Sequence, residues 1–137
     1  MRTTQQLIIN GISGTTLKIL VFGPQVAQLS SDDRTRNLQL KRIEIREELE
    51  KLGHYVKYAE DLVDPNLPAP YNNPFIQEMV IMPAYDLIIT LVDSPGSIAE
   101  AAVISSKPDL AKKASLFLDE SYLGGLVGQT CLFAETI

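Results

Sequence analysis

One segment of the 137-residue chain, residues 93–100 (DSPGSIAE), concentrates the residue types that could do chemistry. Ser94 fits the N-cap of a helix, and Pro95 fits its first position, where the missing N–H costs nothing. Gly96 would let another group approach the backbone, and Ser97 would add a hydroxyl beside the N–H groups of the helix start. Such a start can bind a phosphate or another anion. It is also an ordinary way to begin a helix, so both interpretations stay open.

Glu100 adds a carboxylate to this segment in apolar surroundings, because its neighbours from 98 to 104 are all small or apolar. Burying a carboxylate without a partner is costly, and ionisable groups in such surroundings cluster at functional sites. The alternative is that Glu100 lies on a solvated stripe of its helix. We favour the first interpretation, in which Glu100 belongs to a site.

Alternating strands and helices are predicted to position these residues. Four strands are predicted from short apolar or alternating runs, at residues 18–22, 54–58, 86–92 and 115–118. Four helical patterns accompany them, at residues 38–52, 75–82, 98–105 and 124–134. This order predicts an α/β fold, a flavodoxin-like or Rossmann-like three-layer sandwich with a parallel sheet of four or five strands. Right-handed crossovers favour the strand order 2-1-3-4.

That strand order predicts where a ligand binds. Ligands of such sheets lie outside the carboxyl ends of strands 1 and 3, which places Gly23, Pro24 and the turn at 93–97 at the site. Asp61 follows strand 2, where some nucleotide folds read ribose hydroxyls. Tyr122 follows strand 4 on the same side of the sheet, although a plain loop role is open for it too.

The long helix over 38–52 is predicted to bury an apolar face that carries Leu38, Ile45, Leu49 and Leu52. We expect its charged residues to be mainly solvated, namely Arg42, Arg46, Glu47 and Lys51.

One domain is expected over residues 17–137, after an N-terminal extension at residues 1–16. A sheet that stops after the fourth helix would expose an edge. Residues 1–16, a partner subunit or a truncated C-terminus would account for that edge, and we expect a homo-oligomer.

Composition excludes several classes of function. The net charge of −5 argues against direct nucleic-acid binding without a partner. A single cysteine and a single histidine exclude cysteine-based zinc and multi-histidine sites, so we expect no metal. No apolar run approaches the roughly 20 residues of a membrane span, and the N-terminus lacks a signal-peptide pattern. We expect a cytoplasmic protein without a membrane contact.

Three elements together resemble a known superfamily. They are the first strand ending in Gly23-Pro24, the helix end REELEKLGH at 46–54, and Asp86 followed by the 93–100 segment. Over residues 17–134 the chain resembles the nucleoside 2-deoxyribosyltransferase-like superfamily. The segment SPGSIAE is more similar to a divergent branch that includes N-glycosidase effectors of bacterial retron and antiphage systems.

The resemblance implies cleavage or transfer at the N-glycosidic bond of a nucleoside, nucleotide or dinucleotide, without a cofactor. Glu100 matches the nucleophilic glutamate of the superfamily, and Asp93 matches an acidic position that holds sugar hydroxyls or protonates the departing base. A hydroxyl or 5′-phosphate would be held by Ser94, Gly96 and Ser97, and the base or sugar side would be lined by Gly23 and Pro24. The alternative is a non-catalytic nucleotide-binding sensor or an interaction subunit on the same fold.

Overall fold

A computed structural model of the chain describes residues 15–118 and 134–136. Its strands are β1 (Lys18–Phe22), β2 (Tyr55–Tyr58), β3 (Leu87–Leu91), β4 (Ala114–Leu118) and β5 (Ala134–Thr136). Its α-helices are α1 (Asp33–Lys51), α2 (Pro74–Ile81), α3 (Pro95–Ser106) and the short α4 (Pro108–Ala111). Two 3-10 turns follow β2 and α2, at Ala59–Leu62 and Met82–Ala84. The first four strands and helices α1–α3 lie where the sequence predicts them.

All five strands form one parallel sheet in the order β2-β1-β3-β4-β5. This confirms the expected order 2-1-3-4 and the switch point between β1 and β3, where Ile19 pairs with Leu87. The predicted helix at 124–134 is wrong at its last residue, because Ala134 begins β5 and pairs with Leu116. The rest of that predicted helix lies outside the described residues. The sheet has five strands, as the predicted range of four or five allows, and β5 pairs with β4 at the edge that a four-stranded sheet would expose.

Side chains alternate between the two faces of the sheet, as the two-residue period of a strand requires. On β1, Ile19 and Val21 pack on the α1 side of the sheet, together with Leu38, Ile45 and Leu49 of α1. Leu20 and Phe22 face the other way and pack with Ile88, Met82 and Ile104. Helices therefore cover both faces, which confirms the three-layer sandwich.

Local signals set the limits of α1. The carboxylate of Asp32 accepts a hydrogen bond of 2.9 Å from the backbone N–H of Thr35, which caps the helix start. Gly53 adopts a φ of +90° two residues after the last helical residue, and this conformation ends helices at little cost for glycine. In the described part of the chain, no helix is both long and apolar enough to cross a membrane.

Candidate active site

The carboxyl ends of β1, β2 and β3 carry several of the predicted residues. Gly23 and Pro24 follow β1, and Asp93 follows β3, the neighbour of β1 in the sheet. Glu60 and Asp61 follow β2 within the 3-10 turn at Ala59–Leu62. This edge therefore carries carboxylates on both sides of the switch point.

The turn that begins α3 is held by its own serine side chains. Ser94 is the N-cap, and its Oγ accepts from the backbone N–H of Ser97 at 3.3 Å. The Oγ of Ser97 accepts from the backbone N–H groups of Asp93 and Ser94, both at 2.9 Å. The same Oγ lies 3.1 Å from Asp93 Oδ1 and 3.0 Å from Ser94 O, and its one proton is donated to these two acceptors. The two hydroxyls thus fix the turn and orient the Asp93 carboxylate, and Ser97 is buried.

Glu100 lies one turn farther along α3 and is half-buried. Burial raises the pKa of Glu100 to about 7, and the charge of Glu78 and a hydrogen bond with it act in the same direction. The Asp93 carboxylate adds to the rise, whereas Arg42 opposes it. Glu100 therefore holds a proton over a pH range in which an exposed glutamate is ionised.

Glu78 supplies the partner carboxylate from α2. Its helix begins after Asn73, whose side chain accepts from the backbone N–H of Phe75 at 2.9 Å. Glu78 is 9% exposed, and its pKa is raised by burial and by the nearby charge of Glu60. One of these two carboxyls is buried and the other half-buried, and burial and their like charges make it costly to ionise both, so the pair shares one proton near neutral pH.

Arg42 is fully buried on α1, and its charge acts on Glu100. Its Nη1 and Nη2 donate to the two carboxylate oxygens of Glu60, each at 2.6 Å. The same nitrogens donate to Pro24 O at 3.0 Å and to Val21 O at 2.6 Å. The guanidinium also lies 4.3 Å from the centre of the Tyr58 ring. Arg42 thus joins α1 to the ends of β1 and β2.

Gly23 is required where it stands. Its φ is +154°, and a Cβ added there would lie 3.2 Å from Cδ of Arg42. By contrast, a Cβ on Gly96 would meet only Ser94 Oγ, at an ordinary 3.8 Å. The sequence predicts that Gly23 lines the ligand site. In the structure, the absence of a side chain at Gly23 also leaves space for the buried Arg42.

Two of the predicted site residues, Asp61 and Tyr122, are not placed at this site by the structure. Asp61 is exposed and lines a separate cleft of about 400 Å³, together with Arg46, Tyr58 and Glu60. Tyr122 lies outside the described residues. Within residues 15–118 and 134–136, no group of three or more histidine, cysteine, aspartate or glutamate side chains could hold a metal ion.

Three residues of the site were not predicted from the sequence, namely Glu78, Glu60 and Arg42. The prediction that Arg42 is solvated is wrong, because Glu60 neutralises it inside the protein. A signal was available: Arg42 lies four residues after Leu38 and three before Ile45, on the apolar face of α1. Glu78 shows the same kind of signal as Glu100, a carboxylate in a mostly apolar helical run.

Comparisons with known proteins agree with part of the resemblance. The model of a family described as STM3845 retron effector protein matches residues 32–124. This confirms the resemblance to retron-associated effectors. A search of curated proteins finds no match. Among solved structures, a 2-deoxyribosyltransferase from the psychrotolerant bacterium Bacillus psychrosaccharolyticus is similar with 16% identity and a TM-score of 0.47. That similarity covers 85% of this chain and 91% of the other.

Proposed function

Because the chain belongs to the STM3845 retron effector family, we propose that it is an effector enzyme that cleaves an N-glycosidic bond in antiphage defence. Its substrate would be a nucleoside, nucleotide or dinucleotide bound at the carboxyl edge of β1 and β3. The observation that carries the proposal is Glu100, half-buried on α3 near Asp93 and Glu78, whose charges act on its carboxyl. Proton-sharing carboxyls in a half-buried site are the groups that this chemistry needs.

The proposed step breaks the bond between the sugar C1′ and the base nitrogen. The bonding electrons leave with the base, and positive charge develops on the sugar. Glu100 is ionised when the shared proton resides on Glu78, and its carboxylate then stabilises the sugar cation or bonds to C1′. The sugar C1′ then bonds to water in hydrolysis, or to the nitrogen of a second base in transfer.

Asp93 is the proposed partner of the sugar hydroxyls or of the departing base. Its carboxylate is oriented by the Ser97 hydroxyl at 3.1 Å. That contact leaves Asp93 Oδ2 to accept from a substrate hydroxyl or to carry a proton to the base. Ser94 and Ser97 therefore act mainly through Asp93 and the helix start, and Gly96 remains the exposed part of the turn.

The direct test is release of free base from a panel of a nucleoside, a nucleoside monophosphate and a dinucleotide, followed by chromatography. We expect Glu100→Gln to reduce the rate by roughly a hundredfold or more, because the developing cation loses its carboxylate. Glu47→Gln makes the same change of charge at an exposed position of α1 and should leave the rate unchanged. Full activity in Glu100→Gln would contradict the proposed mechanism.

A second test follows the proton. Glu78→Gln removes a negative charge and a hydrogen-bonding partner that both raise the pKa of Glu100. The pH below which activity is lost should therefore move down, because Glu100 then ionises more easily. A pH–rate profile that is identical in the variant and the parent protein would show that the pair does not act as a unit.

An interaction subunit is the second candidate function. It is favoured by an apolar cleft of about 460 Å³ between α2 and the loop before it. Val80 and Tyr71 line this cleft and are 74% and 60% exposed. A mass by light scattering that rises with protein concentration, together with no release of base from the nucleotide panel, would favour this role over catalysis.

A further inference from the structure

The Arg42 guanidinium is the most constrained cation in the described part of the chain, and the proposed step above does not use it. All four N–H groups of its two terminal nitrogens have acceptors within 3.0 Å, whereas Nε is buried with no partner among the described residues. Four bonds in one plane need a guanidinium, because an ammonium has three donors in another geometry. The site is therefore built for arginine.

The acceptors of Arg42 belong to the segments that form the proposed substrate edge. Val21 O is near the end of β1, and Pro24 O is in the turn that follows it. Glu60 comes from the turn after β2. Arg42 thus determines how the turn after β1 is placed beside β3, across the switch point.

The charge of Arg42 also acts on the carboxylates. The described charged groups that act on Glu100 are Glu78 from α2, Asp93 from the turn before α3, and Arg42 from α1. Arg42 is the cation among these three. Glu60 also acts on the pair, because its charge raises the pKa of Glu78.

We propose that Arg42, held by Glu60, is the positioning residue of the candidate site: it fixes the turn at Gly23-Pro24 and provides a buried positive charge that acts on Glu100. The inference rests on the proposed function for its catalytic meaning. Its physical content, an ion pair that sets the protonation of a second pair, can be measured without a substrate.

A neighbouring pair on the same helix provides the matched control. Arg46 lies one turn after Arg42, 4.6 Å from the centre of the same Tyr58 ring, and its Nε donates to Glu50 at 2.9 Å. That pair is partly exposed, and neither of its members is among the groups that act on Glu100. Changes to it alter charge and packing near Tyr58 while leaving the carboxylate pair alone.

The experiment is a ¹³C NMR titration of the glutamate side-chain carboxyls in the full chain. Signals of the pair are assigned with Glu78→Gln and Glu100→Gln. Glu60→Gln removes a negative charge and leaves Arg42 without its counter-charge, so the upper titration midpoint of the pair should fall by roughly half a pKa unit or more. Arg42→Gln should raise the same midpoint, because the opposing positive charge is gone.

The opposite signs distinguish an electrostatic role from a merely structural one. Loss of packing alone would shift the titration midpoint in the same direction in Glu60→Gln and Arg42→Gln, or would shift it in neither. Glu50→Gln and Arg46→Gln should leave the midpoint where it is. If Arg42→Gln does not fold, Glu60→Gln still tests the inference, since the glutamine keeps an acceptor oxygen for Arg42 and the side chain at this position is 25% exposed.

An unchanged midpoint in Glu60→Gln overturns the inference, as does a shift of equal size in Glu50→Gln. This result is separate from the fate of the proposed function. A protein that releases no base can still show the predicted shifts, and an active enzyme can fail to show them.

Discussion

The proton shared by Glu78 and Glu100 makes stability depend on pH in a direction opposite to that of most carboxylates. Replacing Glu100 by glutamine removes the titrating group and keeps a side chain that can donate to Glu78. We expect the parent protein to lose stability as the pH rises from 5 to 8, and Glu100→Gln to lose much less.

The magnitude follows from the pKa of Glu100, which is about 7 in the folded protein and 4.5 for an unperturbed glutamate. A folded pKa above the unfolded value means that the folded state binds the proton more tightly. The resulting stabilisation is fully present below pH 4.5 and is lost as the pH rises through 7. At about 1.4 kcal/mol per unit the total is roughly 3 kcal/mol, most of it lost between pH 5 and 8.

Urea unfolding at several pH values, followed by circular dichroism, measures this effect. At pH 8 Glu100→Gln should be more stable than the parent protein, and near pH 5 the difference should shrink. Glu47→Gln, an equal change of charge at an exposed position, should follow the parent protein throughout. If the free energy of unfolding changes with pH in the same way for Glu100→Gln and the parent protein from pH 5 to 8, the shared proton is refuted.

Three further substitutions test the scaffold by urea unfolding. Gly23→Ala should lower the free energy of unfolding by about 1–3 kcal/mol, because φ is +154° and the new Cβ would meet Arg42. The control Gly96→Ala should lower it little, and equal losses in the two variants would contradict this packing. Ser97→Ala should lower the free energy of unfolding by about 1–2 kcal/mol, because the backbone N–H groups of Asp93 and Ser94 lose their acceptor. No change would show that water replaces the serine hydroxyl as the acceptor. Asn73→Ala should lower the free energy of unfolding by about 1 kcal/mol, because α2 loses its N-cap. No change in that free energy would mean that the cap is not formed.

The strands were predictable because burial on both faces of a parallel sheet leaves an apolar run in the sequence. Residues 18–22 are such a run, and β1 has those same bounds. β5 leaves no such run: it has three residues, Ala-Glu-Thr, and is defined by its pairing with β4. A strand of that kind depends on its partner rather than on its own composition, so a local pattern does not reveal it.

The candidate site was predictable only in part, for a related reason. Glu100 stood out because a carboxylate among apolar neighbours is locally anomalous. Arg42 and Glu60 are 18 residues apart in the chain, and the burial of each depends on the other. Charge alone made Arg42 look solvated, since the cost of burying an ion is offset only by a partner that the fold supplies.

The distribution of charge bears on the two interpretations that the sequence left open for the start of α3. Glu78, Glu100 and Asp93 surround this edge, and the nearby cation Arg42 is already bound to Glu60. The serine hydroxyls and the N–H groups of Asp93 and Ser94 bond within the turn. An anion placed there would meet negative charge and few donors among the described residues, whereas a sugar hydroxyl could donate to a carboxylate. We therefore expect the α3 start to face the sugar of a substrate rather than its 5′-phosphate.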